Sequence, residues 1–138
     1  MDAREYFASV EAAVREHRAA ELVLAFGEPR RGDGGGRSSV PGDPTARAAE
    51  SVARARATLE RTEAVIGEAL ARIDGLRLVV GRHAEVLEMR HVDLMAWDEI
   101  ADTLGVTVRT AHRWHDVACD WADSFGWAHV ATGTGTAQ

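Results

Sequence analysis

Two arginines one helical turn apart, Arg109 and Arg113, have the residue type and spacing best suited to recognition in this chain. A guanidinium group presents its N–H donors in a fixed fork, so it can donate two parallel hydrogen bonds to an acceptor edge such as O6 and N7 of guanine. Val108, His112 and Asp116 fall on the same helix face, because residues three and four apart are neighbours on a helix surface. This face indicates binding of a partner rather than covalent chemistry.

The segment from 96 to 118, AWDEIADTLGVTVRTAHRWHDVA, has the spacing that would position such a face. Ala101 is small where two helices are expected to cross, and Gly105 can adopt the positive φ that a sharp helix exit requires. Thr107 opens a second helix, where its hydroxyl can accept a hydrogen bond from a free backbone N–H. The pattern predicts a helix-turn-helix. Its expected apolar plug consists of Ile100, Leu104, Val106, Ala111 and Trp114.

Two longer amphipathic segments precede this motif. Residues 3 to 26 have an apolar stripe that needs a partner, with the members Tyr6, Val10, Val14, His17 and Leu24. Residues 46 to 80 carry a seven-residue apolar repeat at Val52, Leu59, Ile66, Ile73 and Val80, with Ala55, Thr62, Ala69 and Leu76 three residues after its first four members. Such a repeat is typical of a long helix that packs along its length. An antiparallel hairpin with residues 3 to 26, a dimer, and a plain bundle helix all remain open.

The predicted fold is all-α, since aromatic residues are only 6% and alanine and arginine recur throughout. We expect an N-terminal helix at 1–26, a flexible Gly/Pro linker at 27–45, a long packing or coiled-coil helix at 46–81, a helix-turn-helix domain at 82–127 and a disordered tail at 128–138. Asp43 or Thr45 can cap the long helix, and Pro44 favours its first turn.

Composition excludes several classes of function. The single Cys119 forms no intramolecular disulfide, and a buried inert thiol is its expected state. His112 and His115 lack the further ligands that a metal site needs, so we expect surface histidines, with no metal and no cofactor. No catalytic residues are identified, and we expect no enzyme activity. No run of about 18 apolar residues is present, so we expect a cytoplasmic protein that does not span a membrane.

The net charge of −6 is concentrated near the motif: residues 82 to 138 contain nine carboxylates and four arginines. This balance counts against strong nonspecific DNA binding, which depends on neutralised phosphates. Arg109 and Arg113 nevertheless lie on the expected recognition face, so the local charge there can still favour DNA.

The stretch EVLEMRHVDLMAWDEIADTLGVTVRTAHRWHDVA resembles region 4 of bacterial sigma factors and phage proteins with that fold. The matching features are a support helix, an Ile-Ala pair, a Leu-Gly turn and a reading helix. The layout of the whole chain resembles phage regulators of the RinA and ArpU type. Three positions depart from the usual pattern: His91 replaces Tyr, Leu94 replaces the Gly before the first helix, and Ala96 replaces a capping Ser or Thr.

The resemblance implies a phage or prophage transcriptional regulator that binds double-stranded DNA. By position, the DNA-contacting residues would be Thr107, Val108, Arg109, His112 and Arg113. Arginine suits guanine, threonine suits a phosphate at the helix N-terminus, and valine suits a thymine methyl group. RNA polymerase is a further candidate partner, and we expect a homo-oligomer, with a dimer favoured. Two alternatives remain: a small terminase subunit for DNA packaging, and a helical protein-interaction module that does not bind DNA.

Overall fold

The computed structural model describes residues 1–28 and 44–125, and all regular structure within these ranges is helical. Helix α1 spans Ala3–Phe26, α2 Pro44–Val80, α3 His83–Leu87, α4 Trp97–Leu104 and α5 Val108–Phe125, with a π-helical segment at Glu88–Val92. The predicted all-α fold is confirmed. In the described ranges, no helix is both long and apolar enough to cross a membrane. Most of the predicted linker, including Asp43, and the predicted tail at 128–138 lie outside the described residues.

Helix α1 begins at a reciprocal cap and buries one stripe. The Asp2 carboxylate accepts from the Glu5 backbone N–H at 2.8 Å, and the Glu5 carboxylate accepts from the Asp2 N–H at 3.2 Å, which satisfies two free donors of the first turn. Most of the predicted stripe is buried or half-buried. The prediction was wrong for Leu24, which is 38% exposed. Near its end the contact line of α1 passes through Ala20 and Val23 instead.

Helices α1 and α2 form an antiparallel hairpin, which was one of the predicted alternatives. The Arg72 guanidinium lies 4.2 Å from the centre of the Tyr6 ring, near the start of α1. Farther along α1, His17 Nδ1 lies 2.8 Å from Thr62 Oγ1. Just beyond α1, Arg54 is paired with Glu28 at 3.0 Å. Residues later in α1 therefore contact residues earlier in α2, which is the order of an antiparallel pair.

The side of α2 that α1 covers is not centred on the predicted apolar repeat. The fully covered line consists of Ala55, Thr62, Ala69 and Leu76, which are all buried. Of the apolar repeat itself, only Ile73 is buried, whereas Val52, Leu59, Ile66 and Val80 are half-buried. Alanine and threonine allow two helix backbones to approach closely, because interaxial distance depends on the side chains at the contact. The predicted seam contained both lines, and its smaller members form the centre of the contact.

Two apolar clusters lie behind the C-terminal helices. The main cluster combines residues of α1, α2 and α3 with Ala118, Cys119 and Ala122 of α5. The smaller cluster contains Val86, Ile100, Leu104 and Ala111, which join α3, α4 and α5. Helix α5 thus belongs to both clusters. The core is continuous across the predicted domain boundary between residues 81 and 82.

The chain leaves the π-helical segment through a strained residue. The Asp93 N–H donates to the Glu88 carbonyl at 2.9 Å, five residues back, which widens the turn. Leu94 follows with a φ of 56°, in the left-handed region that a residue with a Cβ adopts at a cost of roughly 1–2 kcal/mol. This is the position at which the sigma-like pattern has Gly. The Leu94 side chain is half-buried against the main cluster, so packing offsets the strain.

We expect the Leu94→Gly variant to be more stable than the Leu94→Ala variant by about 1 kcal/mol. Both variants lose the packing of the Leu94 side chain beyond Cβ, but only glycine relieves the backbone strain. Urea unfolding of the two variants measures the difference. The control is Ala57→Gly on the exposed side of α2, where glycine should instead destabilise by roughly 0.5–1 kcal/mol. Equal stability of the two Leu94 variants would contradict the strain at this residue.

Candidate nucleic-acid interface

A tight turn joins α4 to α5 and fixes where α5 begins. Gly105 ends α4 with a φ of 70°, and the Val106 N–H donates to the Ala101 carbonyl at 3.0 Å. Thr107 Oγ1 then accepts from the Thr110 backbone N–H at 3.1 Å, the N-capping contact predicted from the sequence. Ala96 has no side-chain cap to offer α4, although the Glu99 carboxylate accepts from its N–H at 3.4 Å.

The inner side of this helix pair is the predicted apolar plug. Ile100, Leu104 and Ala111 are buried, and Val106 and Trp114 pack against them. Val86 of α3 completes the cluster from behind. Because the inner side of α5 is held in this way, its opposite side must face outward. The plug prediction is confirmed residue by residue.

The five predicted site residues, Thr107, Val108, Arg109, His112 and Arg113, are all exposed. Thr107 directly precedes α5 and the other four lie on its first two turns, where Val108 is 41% exposed. Among the described residues, neither Arg109 nor Arg113 has an ion pair or a side-chain hydrogen bond with another part of the chain. Two guanidinium groups are therefore available for an external partner on one helix face.

Trp97 supports the face from α4, a role that the sequence analysis missed. Its ring stacks on His112 with centroids 3.8 Å apart and an interplanar angle of 27°. The Arg90 guanidinium lies 5.1 Å from the centre of the indole, within cation–π range. Stacking fixes the His112 ring beside the two arginines. The sequence shows an aromatic residue in the first turn of α4. It does not show that this residue stacks on His112 of α5.

Carboxylates from the middle of α5 onward contact the start of α1. The Arg4 guanidinium lies 3.2 Å from Asp116 and 3.0 Å from Asp120. The Ala3 backbone N–H donates to Asp123 at 2.8 Å. Asp116 had been placed on the outward face with the two arginines, and it does lie exposed there. Arg4 partly neutralises the charge of Asp116, so this carboxylate repels an anionic partner less strongly.

Arg82 connects the turn to the support helix. Its guanidinium donates to the Leu104 carbonyl at 3.0 Å, at the C-terminus of α4, where a cation is favourable. It also lies 5.4 Å from the centre of the Trp114 ring. This contact joins the residue before α3 to both helices of the pair. It helps to fix the angle at which α5 leaves the turn.

His115 is not the surface histidine that was predicted. Its Nε2 lies 2.8 Å from Nε2 of His91, and its side chain is only 14% exposed. One neutral ring donates its N–H and the other accepts, since two protonated rings would repel at this distance. The pKa of His91 is lowered to about 3, mainly because the ring is buried. Electrostatic repulsion from His115 and Arg90 lowers this pKa further. Burial also lowers the pKa of His115.

Cys119 is buried beside this pair, as predicted. Its Sγ lies 3.9 Å from His115 Nδ1, and burial raises the pKa of the thiol to about 12. The thiol is therefore protonated near neutral pH and unsuited to nucleophilic chemistry. Across the described parts of the chain, no group of three or more His, Cys, Asp or Glu residues could hold a metal ion.

Comparison of the chain with protein-family models, curated proteins and solved structures finds no match. The resemblance to sigma region 4 therefore depends on the quoted residues alone. The candidate interface is an exposed helix face with two arginines that have no ion pair within the described residues, and a buried plug holds its inner side.

Proposed function

We propose that this chain binds double-stranded DNA sequence-specifically through the first turns of α5, as a phage-type transcriptional regulator. The observation that carries the proposal is the pair of exposed arginines, Arg109 and Arg113, which have no ion-pair partner in the described residues. A turn of three residues joins α5 to the shorter α4. This arrangement supports a helix-turn-helix, a motif whose second helix enters the major groove with its N-terminal residues at the base edges.

Each exposed side chain has a suitable role in such a complex. Arg109 and Arg113 can donate two hydrogen bonds each to guanine or bind a phosphate. Thr107, at the helix N-terminus, suits a phosphate, because free N–H groups and the helix dipole favour an anion there. Val108 suits a thymine methyl group. His112, fixed on Trp97, can contribute a directed hydrogen bond at the same surface.

The charge of the surrounding chain limits nonspecific binding. Asp98 and Asp102 of α4 are exposed and are not ion-paired within the described residues, so they repel phosphates near the helix pair. Affinity should then depend on a few well-placed contacts rather than on a broad basic surface. We expect the logarithm of the binding constant to fall with the logarithm of salt concentration with a slope of only about −2 to −4.

Selection from random double-stranded DNA tests the proposal. The purified full chain should enrich a short preferred sequence, and titration of that sequence at several salt concentrations gives the slope. A matched scrambled duplex serves as the control and should bind much more weakly. Failure to enrich any sequence, and no binding even at low salt, would overturn the proposal in favour of a protein-interaction module. The surplus of carboxylates in residues 82 to 138 is the observation that supports that module.

A small terminase subunit is the second candidate, since such proteins also join a DNA-binding helix pair to a helical oligomerisation segment. The long α1–α2 hairpin beside the α4–α5 pair fits either protein. The terminase subunits assemble into rings, whereas a regulator should be a monomer or a dimer. A mass in solution equal to eight or more subunits would favour packaging over regulation. RNA polymerase is a further candidate partner of the regulator.

A further inference from the structure

The side of α2 next to the α1 contact carries apolar residues that the hairpin covers only in part. Val52, Leu59 and Ile66 are half-buried, and Leu70 beside them is half-buried as well. Alanines 49 and 53 are exposed near the start of the helix and line a shallow apolar trough. The seven-residue spacing keeps the first three residues on one line, as in helices that pair along their length. We call Val52, Leu59, Ile66 and Leu70 the α2 ridge.

Charged residues along the α2 ridge are complementary to a reversed copy of themselves. Arg56 and Glu63 are both exposed, and neither has an ion pair within the described residues. They are seven residues apart, about 10 Å along a helix, which is too far for them to pair with each other in one chain. They lie on either side of Leu59, so a twofold axis at Leu59 would bring Arg56 of each copy opposite Glu63 of the other.

The same axis makes the apolar residues fit. Val52 of one copy would face Ile66 of the other, and Leu59 would face its own equivalent. Leu70 would enter the trough formed by Ala49 and Ala53, so that a large side chain meets two small ones. Gly67, which has open space around it, adds no bulk on this side. The sizes of the apolar side chains and the signs of the charged side chains therefore fit the same antiparallel register. A twofold interface requires this kind of self-complementarity.

We infer that the α2 ridge is a dimer interface whose partner is a second, antiparallel copy of this chain. The interface does not depend on DNA binding. In such a dimer the two α2 C-termini would stand on the order of 60 Å apart, because each lies 21 residues from the axis at 1.5 Å per residue. The two α4–α5 pairs would then lie at opposite ends of the assembly, available to separate half-sites on DNA.

Sedimentation velocity of the full chain without DNA, over a series of concentrations, tests the interface. The wild-type chain should form a dimer, and Leu70→Glu should convert it to a monomer because a charge would enter the trough. Arg56→Glu should weaken the dimer about tenfold, because both symmetry-related pairs become repulsive. Arg15→Glu, at an exposed site on α1, is the matched control and should leave the dimer unchanged. Circular dichroism of each variant verifies that it is folded.

The double variant with Arg56→Glu and Glu63→Arg decides the orientation. In an antiparallel dimer it restores both pairs with reversed charges, so its dissociation constant should return to within about threefold of the wild type. A wild-type chain that stays monomeric, a ring of many subunits, or a dimer unaffected by Leu70→Glu would each overturn the interface. If Arg56→Glu weakens the dimer and the double variant does not restore its affinity, the antiparallel register would be overturned. These outcomes are separate from those of the DNA selection, which measures α5.

Discussion

Replacing Arg109 or Arg113 by alanine is expected to weaken binding to the selected DNA sequence by about tenfold to a hundredfold. Each guanidinium can make one bidentate contact to a base, and such a contact contributes roughly 1–3 kcal/mol of discrimination. Preference at one position of the sequence should be lost together with the affinity. Fluorescence anisotropy with the selected duplex and with single-position variants of it measures both effects.

Arg15→Ala provides the charge-matched control, because Arg15 is exposed on α1, outside the α4–α5 pair. It removes the same charge and should change affinity only slightly and equally for all sequences. Neither Arg109 nor Arg113 has a partner within the described residues, so their removal should leave the unfolding free energy nearly unchanged. Binding by both alanine variants at the wild-type level would refute this assignment of the interface.

Acidification from pH 7 to pH 5 is expected to destabilise the fold by about 2 kcal/mol through His91 alone, and by more when His115 is included. The folded-state pKa of His91 is about 3, well below its ordinary value of 6.5. Above 6.5 the ring is neutral in both states. Between 6.5 and about 3 the unfolded chain binds a proton that the folded chain does not, so stability is lost as pH falls. Urea unfolding at a series of pH values measures the loss.

The His91→Gln variant isolates this effect. Glutamine can still form a hydrogen bond with His115, but it does not titrate, so the slope of stability against pH should fall by up to 1.36 kcal/mol per pH unit. The measurements are made between pH 7 and pH 5, because most carboxylates titrate below pH 5. A wild-type slope that is flat between pH 7 and pH 5, or unchanged in the variant, would show that the buried pair does not govern acid stability.

The proposed dimer interface and the proposed DNA interface lie in different parts of the chain and depend on different residues. Arg56, Glu63 and Leu70 lie on α2, whereas the proposed DNA-contacting residues lie at the start of α5. A monomeric Leu70→Glu variant should therefore keep the sequence preference of α5 while losing the affinity that comes from two linked copies. Each proposal can fail while the other stands.

Much of the helix pair could be predicted because its determinants are local. Gly105 ends α4 and Thr107 caps α5 through contacts spanning a few residues. The plug of Ile100, Leu104 and Ala111 follows from helical periodicity, which places residues three or four apart on one side. Leu94 is the exception: a positive φ at a leucine contradicts local preference, and the turn is held by packing against the main cluster and by the hydrogen bond from the Met95 N–H to the Met89 carbonyl.

The sequence by itself therefore determined the helices, the Thr107 cap of α5, the plug and the outward set of residues on α5. The tertiary structure alone decided which line of α2 meets α1, that His91 and His115 share a buried hydrogen bond, and that Arg4 offsets Asp116. Periodicity fixes which residues share a face of a helix, but it does not fix which other helix covers that face, or at what offset. Those choices depend on how closely distant segments can approach.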